Sequence, residues 1–166
     1  MYAFEIERPT RLADAVKLLS DSTESQPLAG GQTLIPTLKQ RLAMPERLVC
    51  LAGIDEISGI CEADDGRLCI GAATTHAEVV AGAGGKYPAL AALASNVGDP
   101  AVRNRGTIGG SLANNDPSAC YPAAALASGA TIVTSKREIA ADDFFDGLFT
   151  TVLEDGELIT EVKFPV

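Results

Sequence analysis

Two glycine pairs limit what this chain can fold into. One is Gly30-Gly31 within Ala29-Gly30-Gly31-Gln32-Thr33, the other Gly109-Gly110 within Thr107-Ile108-Gly109-Gly110-Ser111. Each pair is bounded by a hydroxyl residue and followed by an apolar run able to start a helix. A glycine pair admits φ > 0 and close backbone approach, so its N–H groups can gather round an anion. A following helix N-terminus adds partial positive charge. A lone Gly-Gly is usually a tight turn, but two with matching hydroxyls in one short chain point to a ligand carrying a diphosphate.

Spacing narrows the ligand. Neither loop reads G-x-x-x-x-G-K-[ST], and no lysine follows Gly110 in the required place, which excludes an ordinary P-loop. Neither reads G-x-G-x-x-G, so a Rossmann site is not expected either. What remains is a dinucleotide held by two separate loops, one from each of two lobes, with its pyrophosphate in the cleft between them. Thr33, Thr107 and Ser111 would add hydroxyl donors, with helix N-capping as their other reading.

Composition agrees with a small-molecule site. With 166 residues, 46% of them apolar and 21% charged, the chain is globular and makes one domain or two small lobes. Its 22 acidic against 13 basic residues give a formal charge of −9, which argues against a nucleic-acid surface. Arg103 and Arg105, beside the second loop, form the one basic cluster; a small anion, a partner subunit or a plain salt bridge would each account for them. No apolar run approaches membrane-span length. The opening Met1-Tyr2-Ala3-Phe4-Glu5-Ile6 does not read as a signal peptide, so cytoplasmic residence is expected. Cys50, Cys61, Cys69 and Cys120 show no metal-ligand spacing, and no metal site is expected from them or from the single histidine, His76. Cys61 and Cys69 face each other if a hairpin joins them, as a reduced pair.

The chain reads as α+β. Residues 1–54 form a small α/β lobe, with a helix over 10–20 capped by Thr10, a step at Pro27-Leu28-Ala29, a helix opening at Thr33 and a strand over Arg47–Leu51. Residues 55–166 form a larger lobe with an antiparallel sheet flanked by helices. Asp64-Asp65-Gly66 joins a hairpin, and Thr75 with Glu78 makes a capping box. Helices are expected over 88–97, ending at Gly98, and over Pro117–Leu126. Ala130–Thr134, Arg137–Ala140 and Glu157–Phe164 read as strands.

Three runs carry a family resemblance. They are Ala29-Gly30-Gly31-Gln32-Thr33-Leu34-Ile35-Pro36, the stretch from Ile70 to Val79 (IGAATTHAEV), and the stretch from Asp99 to Pro117 (DPAVRNRGTIGGSLANNDP). In order and length they resemble the FAD-binding medium subunit of molybdenum hydroxylases of the carbon monoxide dehydrogenase and xanthine dehydrogenase type. That subunit belongs to the vanillyl-alcohol-oxidase-like flavoproteins, with a two-lobed PCMH-type fold. The resemblance implies FAD in this chain, its pyrophosphate over residues 29–33 and 107–111. It implies a small partner subunit with two [2Fe–2S] clusters and a large one with the molybdopterin cofactor. Electrons would pass from molybdenum through the clusters to the flavin, then to an acceptor such as NAD, quinone or oxygen. A FAD-binding or assembly module without catalysis, and a stand-alone flavin oxidase, are the competing readings.

The resemblance also assigns residues. Ala29, Gly30, Gly31, Gln32, Thr33 and Leu34 fall in the first loop; Thr107, Gly109, Gly110, Ser111, Asn114 and Asp116 fall in the second and its sequel. Thr74 precedes a helix near the expected cleft, Val97 and Gly98 match a position near the adenine, and Ile159 matches a residue backing the flavin. Gln32 stands where relatives often carry histidine. Cys120 stands where many carry a second acidic residue. His76 is expected to cap or pack, because flavin reoxidation needs no obligatory side-chain base. Members of the family continue past a strand like Leu158–Pro165 into a further domain, and some place a lysine there against the flavin. That domain is expected to be missing here, which would weaken FAD binding and expose the isoalloxazine edge.

Overall fold

The structure, a computed structural model, describes residues 1–165. Its elements fall into two sheets. The first is three-stranded and parallel, in the order β1 (Glu5–Glu7), β3 (Arg47–Cys50), β2 (Ser25–Leu28). Parallel neighbours need a crossover, and α1 (Leu12–Ser20) and α2 (Leu34–Lys39) supply it. Ala15 and Leu19 on α1 are buried with Val49 and Leu51, so the helix stripe read from the sequence faces this sheet.

The second sheet is five-stranded and antiparallel, in the order β4 (Ile60–Glu62), β5 (Leu68–Gly71), β8 (Ile159–Phe164), β6 (Thr131–Thr134), β7 (Glu138–Ala140). Alternation along β8 sends Val162 and Phe164 into the larger core, and a register shift that leaves Thr160 unpaired with β6 brings Ile159 into the same core. Helices α3 (His76–Gly82), α4 (Pro88–Ser95), α6 (Ile108–Asn114) and α7 (Cys120–Ser128) cover that face, with short α5 (Pro100–Arg103) and α8 (Ala141–Phe144) at its margins. Val79, Leu90, Ala94, Ile108, Leu112, Tyr121 and Ala125 come from them into the same core. The expected α+β architecture, with an antiparallel sheet flanked by helices, is what the chain forms.

Local signals held where their partners are local. Thr75 and Glu78 make the capping box of α3, with Thr75 N–H to Glu78 Oε2 at 2.7 Å and Glu78 N–H to Thr75 Oγ1 at 3.3 Å. Two boundaries differ. Thr10 does not cap α1: the N-cap position is Arg11, which makes no side-chain cap bond, and the Leu12 N–H instead donates to the distant Glu56 carboxylate at 3.2 Å. The helix expected from Pro117 starts at Cys120, because Asp116 accepts from Ser118 N–H at 2.8 Å and turns the chain first. Strand β1, central to neither pattern, was not expected from the sequence.

Candidate functional site

A cleft of about 440 Å³ runs between the two sheets, within the range of cofactor sites. One wall is the β2–α2 loop from Leu28 to Leu34; the other is Gly106, Thr107 and Gly109–Ser111 with Ala113 and Asn114 of α6. Leu51, Ile57, Leu153, Leu158 and Ile159 make its apolar side. The loops meet at van der Waals contact. A Cβ on Gly30 would overlap the Arg105 carbonyl oxygen, and one on Gly110 would lie 3.6 Å from the Ala29 Cβ. Glycine is therefore required at position 30 by space.

The first loop has the properties of an anion cradle. Gly31 adopts φ +72°, a conformation that favours glycine, and its carbonyl accepts from Ile35 N–H at 3.0 Å to begin α2. Among the described residues, no acceptor is bonded to the backbone N–H of Gly30, Gly31, Gln32 or Thr33. Thr33 sits at the N-cap of α2 without a side-chain cap bond, so its hydroxyl is not engaged there. Gln32 folds back, its Nε2 donating to the Gly30 carbonyl at 3.2 Å.

The second loop is built differently. Ile108 N–H donates to Thr74 O at 3.1 Å, Gly109 N–H to Ala72 O at 2.9 Å, and Gly110 N–H to Thr107 Oγ1 at 3.1 Å. Neither Gly109 nor Gly110 has positive φ. Gly109 is buried against Ala72, whose Cβ would stand 2.5 Å from an added methyl. Its smallness lets α6 approach the end of β5. Thr107 caps α6, as its N-capping reading required, while Ser111 lines the cleft from the first turn.

Of the sixteen residues assigned from the sequence, Ala29, Gly30, Gly31, Gln32, Thr33, Leu34, Thr107, Gly109, Gly110, Ser111, Asn114 and Ile159 line the cleft. Four lie elsewhere. Thr74 is fully buried, its hydroxyl accepting from Gly59 N–H at 2.9 Å and donating to Gly59 O at 3.0 Å. Val97 packs against the larger core, and Gly98 is exposed. Asp116 holds the turn before α7. Arg103 clamps the Val97 and Gly98 carbonyls at 3.2 and 2.9 Å, which makes it structural.

Among the described residues, two titratable side chains line the cleft. His76 is pushed down to about 4 by burial and stacks on Tyr121 at 5.2 Å between ring centroids. A neutral, packed imidazole is what results at pH 7. Its folded-state value lies below the ordinary one of 6.5, so the stability it contributes is full above that pH and is lost as pH falls towards 4. Glu157 was not singled out in the sequence. Burial alone would raise its carboxyl, but hydrogen bonds from Arg137, Thr134 and the Glu154 N–H outweigh that and hold it at about 2. Its charge is neutralised within the fold, which leaves the cleft free of an unpaired carboxylate. Ala72, Ala73, Gly106 and Leu153 also line the cleft without having been singled out; they carry no polar side chain to betray them.

Residues 2–166 match the family described as the FAD binding domain in molybdopterin dehydrogenase. The carbon monoxide dehydrogenase medium chain of Afipia carboxidovorans is 40% identical over 171 residues, covering 99% of this chain and 59% of the relative. The glyceraldehyde dehydrogenase medium chain of Sulfolobus acidocaldarius is 36% identical, covering 98% and 60%. Among solved structures, reconstituted CO dehydrogenase from Oligotropha carboxidovorans superposes with a TM-score of 0.95 at 38% identity, covering 99% of this chain and 60% of that one. Quinoline 2-oxidoreductase from Pseudomonas putida gives 0.95 at 36% identity, covering 99% and 59%. The chain thus spans about 60% of the length of the relatives it matches. Family match, identity and fold agree: this chain belongs to the FAD-binding domains of the molybdopterin dehydrogenases.

Proposed function

We propose that FAD lies in this cleft with its pyrophosphate over the first glycine loop, and that the chain serves as the electron-transfer module of a molybdopterin-dependent hydroxylase. The run of unbonded N–H groups from Gly30 to Thr33 carries this reading, since each is a donor aimed at no protein acceptor. The start of α2 adds its dipole to the same point. Ser111 and Thr33 supply hydroxyls from the two walls, Gly110 leaves the opposing surface bare, and Ile159 with Leu158 offers an apolar backing. Thr74, Val97, Gly98 and Asp116 are left to hold the scaffold around that contact set. We take residues 1–54 and 55–166 as the two lobes that grip the cofactor.

FAD, when bound, supplies the two-electron and one-electron chemistry; the protein binds, orients and shields it. The unbonded amides fix the diphosphate and the apolar side excludes water. No side chain in the cleft is suited to proton transfer at neutral pH, because His76 is held neutral by burial and the Glu157 charge is paired. Electrons would arrive from iron–sulfur clusters of a small partner subunit, fed by a molybdopterin-bearing large subunit, and leave to NAD, quinone or oxygen in the cytoplasm. The named functions of the relatives, which are dehydrogenase and hydroxylase subunits, support that route.

Titration of the chain with FAD, followed by flavin absorbance and fluorescence quenching, tests the proposal. One equivalent is expected to bind. Gly31→Asp puts a carboxylate and a bulky side chain at the diphosphate and is expected to weaken binding by at least ~100-fold, or about 2.7 kcal/mol. Absence of FAD binding by the folded chain, or unchanged affinity in Gly31→Asp, overturns the reading.

A further inference from the structure

The outer face of the five-stranded sheet carries a cluster that takes no part in the cleft. Alternation along β5 sends Leu68 and Ile70 into the core and Cys69 to the opposite face, where it is only 3% exposed. Cys61, on the edge strand β4, lies directly across from Cys69. Glu161 reaches the same spot from β8, where it pairs with Gly71, the residue two beyond Cys69. The two Sγ atoms and a carboxylate oxygen of Glu161 all lie within 4.8 Å of one another.

We propose that Cys61, Cys69 and Glu161 form a binding site for a thiophilic divalent cation of the zinc class, which pins β4, β5 and β8 together on the outer face of the sheet. Tetrahedral zinc with Zn–S near 2.3 Å and Zn–O near 2.1 Å brings such ligand atoms to roughly 3.5–3.8 Å from one another. Rotation of the cysteines about χ1 and of the longer Glu161 side chain would close that gap. Two thiols and one carboxylate are a soft, nitrogen-free donor set that selects zinc or cadmium over magnesium and calcium.

Two thiolates and one carboxylate against a divalent cation leave one negative charge. The Lys163 ammonium, 4.0 Å from Glu161 Oε1 and shared with Glu138 at 2.5 Å, offsets it in part. Binding displaces the thiol protons to solvent. Exposed Cys61 leaves the fourth position open to water. Spacing along the chain hid the set: positions 61, 69 and 161 share a site only because β8 pairs with β5.

The test is titration of the reduced chain with Co²⁺, followed by displacement with Zn²⁺ in competition with a chromophoric chelator. One equivalent is expected, with thiolate-to-cobalt charge-transfer absorption that zinc abolishes. Cys61→Ser, at an exposed position, is expected to keep its circular dichroism, lose the band and bind zinc at least ~100-fold more weakly. Glu161→Gln is expected to bind about tenfold more weakly, while the double variant Cys50→Ala/Cys120→Ala binds as the parent does. Zinc should raise the Tm of the parent and leave that of Cys61→Ser unchanged. No stoichiometric binding by the parent overturns the site, as does a band retained in Cys61→Ser or lost in the Cys50→Ala/Cys120→Ala variant. Unchanged affinity in Glu161→Gln removes the third ligand and with it the three-strand pin.

Discussion

The two glycine loops look alike in sequence and differ in construction. In the first, Gly31 takes a left-handed turn, and four successive amides from Gly30 to Thr33 have no acceptor among the described residues. In the second, the amides of Ile108, Gly109 and Gly110 are bonded to Thr74, Ala72 and Thr107. Glycine serves there to let a helix approach a strand end closely. Among the described residues, one Gly-Gly thus leaves its amides open while the other ties its own into the frame that faces it. The same dipeptide leaves donors open at one site and allows close packing at the other, and only the backbone hydrogen bonds tell them apart.

Substitutions sharpen or break that contrast. Gly30→Ala is expected to be the most damaging, by about 3 kcal/mol or more, because its methyl meets the Arg105 backbone, which has no room to yield. Chemical denaturation checks it, and a change below 1 kcal/mol would show that the loops do not truly touch. Gly109→Ala should cost about 2–3 kcal/mol by crowding Ala72, while any FAD bound by the folded fraction keeps nearly parental affinity. A lost affinity at parental stability would return the second loop to a direct phosphate role. Thr107→Ala removes the α6 cap and should cost about 1 kcal/mol, a fall in Tm of roughly 2–4 °C by calorimetry. Ser111→Ala is the mildest: FAD affinity drops about fivefold with Tm unchanged, since Ser111 is expected to supply a single hydrogen bond.

Legibility in the sequence followed the range of the interaction. The capping box at Thr75 and Glu78 was readable because both partners lie within one turn. The β4–β5 hairpin was readable from Asp64-Asp65-Gly66, and Gly66 does take φ +85°. Strand β1 was not, since three residues that pair in parallel with β3 some forty positions on leave no local trace. The start of α7 was misplaced because Pro117 is also a good first helical residue, and only the Asp116–Ser118 bond decides for a turn. The cleft was readable on its glycine and hydroxyl side and silent on its apolar side. Ala72, Leu153 and Leu158 are ordinary core-type residues until the fold brings them to one wall. Thr74 misled for the opposite reason: it lies in a motif shared with the family, yet its hydroxyl is bonded to Gly59 fifteen residues back.

Leu158 and Ile159 are adjacent in the chain, yet Leu158 is buried in the core under the parallel sheet and Ile159 in the core under the antiparallel one. A single peptide bond therefore joins two interiors at the very wall of the cleft. Rotating one lobe away from the other would drag an apolar side chain out of its packing at once, so jaw-like opening is mechanically disfavoured. The two interiors should also melt as one unit, giving a single calorimetric transition whose enthalpy matches the van't Hoff value.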